Sequence, residues 1–126
     1  MKYNVAVKVN GEIRLAEYTT EHSASSYGQP VLVFDGQAYG SGDLELNKIK
    51  VMDNDEGRAW RFKRALQEFD KAGLSQIEIA KMVGVTPVYI SQVKNGKRQP
   101  SEVLVCAMES RRRVEELEEE LQRLEA

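Results

Sequence analysis

The stretch from Ser75 to Lys97 leaves this chain fewer choices than any other. Ser75-Gln76-Ile77-Glu78 is a capping box: the serine hydroxyl accepts from the Glu78 N–H, and the Glu78 carboxylate reaches back to the Ser75 N–H. Gly84 stops that helix, because glycine takes the left-handed conformation without a steric penalty. Thr86-Pro87 restarts a helix at once, with threonine as N-cap and proline at the first helical position. Gly96 ends the second run after about Asn95. Two short helices must therefore turn sharply on each other at Gly84-Val85, and small Ala80 lets them approach. Ile77, Ala80 and Val83 form the expected inner face of the first helix. Val85, Ile90 and Val93 bury the inner side of the second. Pro87, Val88, Ser91, Gln92 and Asn95 remain on its outer side.

A further helix precedes this pair. Trp60, Ala65, Leu66 and Phe69 recur at helical spacing, with Gly73 as its terminating glycine. Pro100-Ser101 marks another stop and restart. The segment is also set apart by charge. Residues 58–101 hold nine Lys/Arg against three Asp/Glu, whereas residues 1–57 hold five against nine and residues 102–126 four against eight. A net charge of −2 thus conceals a basic middle, where a polyanion would dock, between acidic flanks that would face away from it.

Residues 1–52 read as β structure. Val5, Val7 and Val9 alternate along one strand. Asn10-Gly11 is a preferred two-residue hairpin turn, and Glu12 to Tyr18 returns with Ile13 and Leu15 on one face. Thr19 to Pro30 is a polar loop. Val31 to Phe34, the Asp35-Gly36 turn and Gln37 to Tyr39 form a second hairpin. Gly40 to Asp43 is a further loop, and Leu44 to Met52 a last strand with a bulge near Asn47. Asp53 to Gly57 is an acidic linker. Residues 103–126 form a long helix in which Val103, Ala107, Ser110, Val114, Leu117, Leu121 and Leu124 repeat at alternating steps of four and three, an a/d seam. The fold class is α+β: a small antiparallel sheet or barrel (1–52), an acidic linker (53–57), a helical bundle (58–102), and a C-terminal helix with a short coiled-coil seam (103–126).

Several chemistries are excluded. Asp53-Asn54-Asp55 starts like a calcium loop, but the sixth and twelfth positions hold Arg58 and Arg64 instead of Gly and Glu. Gly36 to Gly42 lacks the Gly-Lys-Ser/Thr ending of a phosphate loop. One cysteine and one histidine supply neither an internal disulfide nor a Cys/His metal site. Cys106 is expected to be a small buried residue, His22 solvated, and Trp60 and Tyr89 packing residues. No nucleophile–base pair or carboxylate dyad is identifiable, and no cofactor, metal or catalytic activity is expected. No apolar run approaches the ~20 residues of a membrane span, and no signal-peptide layout opens the chain. A cytoplasmic, nucleoid-associated location is the expectation.

The residues from Leu74 to Val85, from Tyr89 to Lys97, and Pro100-Ser101 together resemble the Cro/CI-type (xenobiotic-response-element) helix-turn-helix family, over about residues 58–102. The resemblance implies binding of double-stranded DNA in the major groove. It places Gln76 on a backbone phosphate, Thr86, Pro87, Val88, Ser91 and Gln92 at base edges, and Asn95, Gly96 and Lys97 on phosphate, with Lys94 and Arg98 beside them. Arg58, Arg61, Lys63 and Arg64 are open candidates for the same basic face. Proline replaces the polar base reader often found at Pro87, so direct readout shifts to Gln92, while Val88 suits a thymine methyl. Fewer polar readers favour modest specificity or readout of DNA shape.

One such unit reads too few bases to select a genomic site, so a homodimeric transcription regulator, a repressor of an inverted repeat, is expected. Val114, Leu117, Leu121 and Leu124 are the candidate dimerisation residues. In a parallel pair Arg113 and Glu118 attract while Glu120 and Glu125 repel, so these pairs leave the orientation open. The N-terminal segment could pair with its copy, bind an effector, or hold a protein partner; the last would make this an antitoxin-like or phage/plasmid accessory protein that autoregulates.

Overall fold

The computed structural model describes residues 2–25 and 28–125. Ser26 and Tyr27, within the expected Thr19–Pro30 loop, lie outside the described residues, as does Ala126. The chain forms two compact units, residues 1–61 and 62–126.

The first unit is a five-stranded antiparallel sheet in the order β4-β3-β2-β1-β5, with β1 at Lys2–Val9, β2 at Glu12–Thr19, β3 at Val31–Phe34, β4 at Gln37–Tyr39 and β5 at Ile49–Met52. Both hairpins turn where the sequence places them, with positive φ at Asn10-Gly11 and at Asp35-Gly36. The two-residue turn after Val9 sets Val9 opposite Glu12, and hence Val5 opposite Ala16 and Tyr3 opposite Tyr18. Paired residues share a face, so Ala16 and Tyr18 join the valine face of β1. Ile13 and Leu15, expected to be the apolar side of β2, lie on the opposite face with Ala6. The core face gathers Val5, Val7, Ala16, Leu32, Phe34 and Ile49.

The last expected strand is two elements. Ser41–Leu46 forms a short helix, α1, and only Ile49–Met52 pairs in the sheet. Asp43 explains the change: its carboxylate accepts the Gly40 N–H at 2.9 Å, while its own N–H donates to the Gly40 carbonyl at 3.0 Å. Lys48 then turns the chain in the left-handed region, so no strand bulge exists at Asn47. Helix α1 links the two edge strands, and its Leu44 packs on the sheet core.

The acidic stretch before residue 58 is not an extended linker throughout. Helix α2 spans Asp55–Lys71, and Asn54 caps it by accepting the Gly57 N–H at 3.0 Å. Acidic residues in a first turn are favourable there. Gly57 packs so closely on β5 that a Cβ would collide with the Met52 carbonyl. Because that obstacle is backbone, Gly57→Ala is expected to cost about 1–3 kcal/mol, read as a lower urea midpoint with an unchanged slope.

The second unit comprises the rest of α2, α3 (Gln76–Val83), α4 (Pro87–Lys94) and α5 (Glu102–Glu125). Its core joins Phe62, Ala65 and Phe69 of α2 with Ile79 and Ala80, Ile90 and Val93, and Leu104, Val105 and Met108. Phe62, which the helical spacing of Trp60, Ala65, Leu66 and Phe69 did not single out, is in this core, while Trp60 is half-buried.

Candidate nucleic-acid interface

Each boundary of the α3–α4 pair is held by a named hydrogen bond. Ahead of α3, Leu74 N–H donates to Phe69 O at 3.1 Å and Gly73 N–H to Asp70 O at 2.9 Å, the paired closure of a helix end around left-handed Gly73. Ser75 caps α3 by accepting the Glu78 N–H at 3.3 Å, and Glu78 returns the bond. Gly84 sits at φ 76°, ψ 32°, which lets the Val85 N–H reach the Ala80 carbonyl at 3.0 Å. Thr86 caps α4 through the Tyr89 N–H at 3.2 Å, with Pro87 following. Gly96 closes α4, where the Lys97 N–H donates to the Gln92 carbonyl at 2.9 Å. Ser101 caps α5 through the Leu104 N–H at 3.1 Å.

Between these caps, burial separates the two sides of each helix. On α3 the buried pair is Ile79 and Ala80, with Val83 half-buried; Ile77, expected on that face, is 62% exposed. At 100° per residue Ile79, Ala80 and Val83 share one arc, and Ile77 falls outside it. On α4, Ile90 and Val93 are buried, as the spacing requires. Thr86, Pro87 and Val88 are exposed, Val88 by 65%, while Ser91 and Gln92 are half-buried beside them. The Asn95 amide donates to the Ser91 hydroxyl at 3.4 Å, which ties the end of α4 to its middle.

Lys94, Asn95, Gly96, Lys97 and Arg98 are all exposed around the C-terminal end of α4, and Gln76 is half-buried at the start of α3. Among the described residues, neither Lys94 nor Lys97 has an acidic partner. Arg98 lies over the Tyr89 ring, 5.0 Å from its centroid. That cation–π contact aims the guanidinium. Sequence reasoning missed it, since no local spacing rule links residues 89 and 98. Tyr89 itself packs against the core. The basic residues of α2 divide: Lys63 and Arg64 are exposed, Arg58 pairs with Asp55 at 3.2 Å, and Arg61 is buried, which removes Arg61 from any open basic surface. Cys106, expected to be buried, is half-buried, and its thiol donates to the Glu102 carboxylate at 3.3 Å. Among the described residues, no group of His, Cys, Asp and Glu is placed to hold a metal, and no helix is long and apolar enough to cross a membrane.

An uncharged outer helix face thus sits next to exposed cations at the end of the same helix. Residues 63–111 match the family model described as helix-turn-helix. The match covers the second half of α2, all of α3 and α4, and the first turns of α5. No significant match was found among curated proteins or solved structures. The segment is a helix-turn-helix of the Cro/CI type, a module of DNA-binding transcription regulators.

The split between the two sides of α4 is testable without DNA. Ile90→Ala removes a fully buried side chain and is expected to cost about 2–5 kcal/mol. Val88→Ala, one and a half ångströms of helix rise from each neighbour but on the open side, should change stability by less than about 0.5 kcal/mol. Thermal or urea unfolding of the two variants makes the comparison.

Proposed function

We propose that this chain, with a helix-turn-helix DNA-binding module at residues 63–111, is a homodimeric transcriptional repressor that reads an inverted repeat through the major groove. The observation that carries the reading is the outer face of α4, with Val88 exposed and Gln92 half-exposed, and with exposed Lys94 and Lys97, neither holding an acidic partner among the described residues, at and just past the end of the same helix. In this reading Gln76, Asn95, Gly96, Lys97 and Arg98 hold phosphate and set the register, as backbone contacts do. Thr86, Pro87, Val88, Ser91 and Gln92 face the bases. Gln92 is the polar reader, suited to a bidentate pair with adenine, and Val88 meets a thymine methyl. Repression requires only that the site be occupied.

Dimerisation is supported by the seam on α5. Val114, Leu117, Leu121 and Leu124 are all exposed in the single chain, an apolar row that a second copy would cover. Two copies would select half-sites whose centres lie about 34 Å apart or a multiple of that.

Fluorescence anisotropy on a selected site separates the two kinds of contact. Gln92→Ala is expected to lose about 1–3 kcal/mol on the preferred sequence and much less on unrelated duplexes. Lys97→Ala should weaken all sequences alike and flatten the salt dependence by about one unit of slope. Wild-type affinity for Gln92→Ala would remove Gln92 from base readout, and an unchanged slope would remove Lys97 from the phosphate contacts.

A further inference from the structure

We infer that the two α5 helices of the dimer pair antiparallel, with Val114 of each copy packed on the partner's Leu117 at the two-fold axis. The inference rests on the dimer reading above and assigns that interface its direction and register.

Helix α5 carries two faces. Leu104, Val105 and Met108 are buried in the core of the second unit, and farther along Glu115, Glu118, Glu119 and Gln122 line a shallow groove against Ala72 and Leu74. On the opposite side of the helix lie Val114, Leu117, Leu121 and Leu124, exposed by 42%, 47%, 57% and 79%. Half-buried Ala107 and exposed Ser110 continue that row toward the helix start. Among the described residues Val114, Leu117, Leu121 and Leu124 join neither hydrophobic core, and their spacing is that of a two-helix seam.

The flanking charges select the direction. With Ala107, Val114 and Leu121 at a and Ser110, Leu117 and Leu124 at d, the e positions are Arg111, Glu118 and Glu125, and the g positions are Arg113 and Glu120. A parallel pair matches Arg113 with the partner's Glu118 but sets Glu120 against the partner's Glu125. An antiparallel pair brings e against e and g against g. Centred between residues 115 and 116, it places Arg111 by the partner's Glu118 and Arg113 by the partner's Glu120. Symmetry repeats each contact, so all four are attractive. Sliding the antiparallel pair to centre on Leu117 and the partner's Leu121 brings Glu118 onto the partner's Glu118 and Glu120 onto the partner's Glu120.

Two features of the single chain agree with this choice. Among the described residues, neither Glu118 nor Glu120 has an ion pair within its own chain. Among the described residues Arg111 pairs with half-buried Glu115 at 3.8 Å and Arg113 with partly exposed Glu116 at 3.6 Å, long contacts from two exposed arginines that leave both guanidiniums within reach of a second carboxylate. Side-chain size agrees as well. The antiparallel order sets Leu121 against the partner's Ser110 and Leu124 against the partner's Ala107, large on small, whereas the parallel order stacks alanine on alanine and serine on serine.

The register also has a consequence for spacing. Leu104, where α5 enters the bundle core, is about 12 residues from the axis, or about 17 Å at 1.5 Å per residue. The two bundles are then anchored about 35 Å apart along the helix pair, close to the ~34 Å between half-sites one DNA turn apart.

Directed disulfides test the inference in the full chain. With Cys106→Ser removing the native thiol, Leu124→Cys and Ala107→Cys are prepared separately, then mixed, allowed to exchange, and mildly oxidised. The antiparallel register predicts a disulfide between the two variants in the mixture. It predicts almost none for Leu124→Cys alone, whose thiols would lie about 25 Å apart along the axis. A Leu124→Cys disulfide forming as readily as the mixed one overturns the direction and leaves the dimer intact. A protein that sediments as a dimer but forms no mixed disulfide overturns the register. A monomer at tens of micromolar overturns the dimer reading, and this inference with it. Leu124 is exposed, so its replacement does not put the fold at risk.

Discussion

The proposed recognition surface depends on the turn at Gly84. With φ at 76°, the chain leaves α3 and lets the Val85 N–H close on the Ala80 carbonyl, and two residues later Thr86 has already capped the next helix. A residue with a Cβ meets no atom at Gly84 but pays the left-handed conformational cost. Ala80 supplies the other half of the constraint. Its small side chain is buried between α3 and α4, which lets Ile90 and Val93 seat against the same core as Phe62 and Phe69. Once Ile90 is buried, the helical period puts Val88 outside and Gln92 at the rim. The outer face of α4 is thus set by what its inner face must bury.

Helix α5 extends the same logic. Its first turns complete the core of the second unit through Leu104, Val105 and Met108, which is also where the helix-turn-helix match ends, at residue 111. Beyond that point the residues toward the α2–α3 turn are acidic, and the apolar residues move to the opposite side. A helix that only completed a core would have no reason to carry leucines on its far side. In the proposed dimer this second face links two recognition units at a spacing that DNA can match.

Much of this was legible in the sequence where the signal was local. The capping box at Ser75, the Thr86-Pro87 start, the glycines at 73, 84 and 96, and both hairpin turns each depend on neighbours within a few residues, and each appears as the sequence implies. Errors arose where the deciding contact was less local or two phases competed. Ile77 and Ile79 each lie within about 160° of Val83 and Ala80 on a helical wheel, but the tighter arc includes Ile79, and it is Ile79 that joins the buried core of the second unit. Ile13 and Leu15 alternate as a strand's core face should, yet the register from Val9 and Glu12 gives that face to Ala16 and Tyr18. Leu44 and Leu46 suggest a strand until Asp43 folds back onto Gly40. The Arg98–Tyr89 contact joins residues across the end of α4 and left no periodic trace.

In the proposed function the outer side of α4 and the residues closing it form the DNA-binding surface. Amide resonances of the isotopically labelled full chain, followed during titration with random-sequence duplex DNA at low ionic strength, test it most directly. Shifts are expected to concentrate at Gln76 and at residues 86–98, with the amides of β1 to β5 unmoved. Shifts confined to the sheet, or no shift at any DNA concentration, would contradict it.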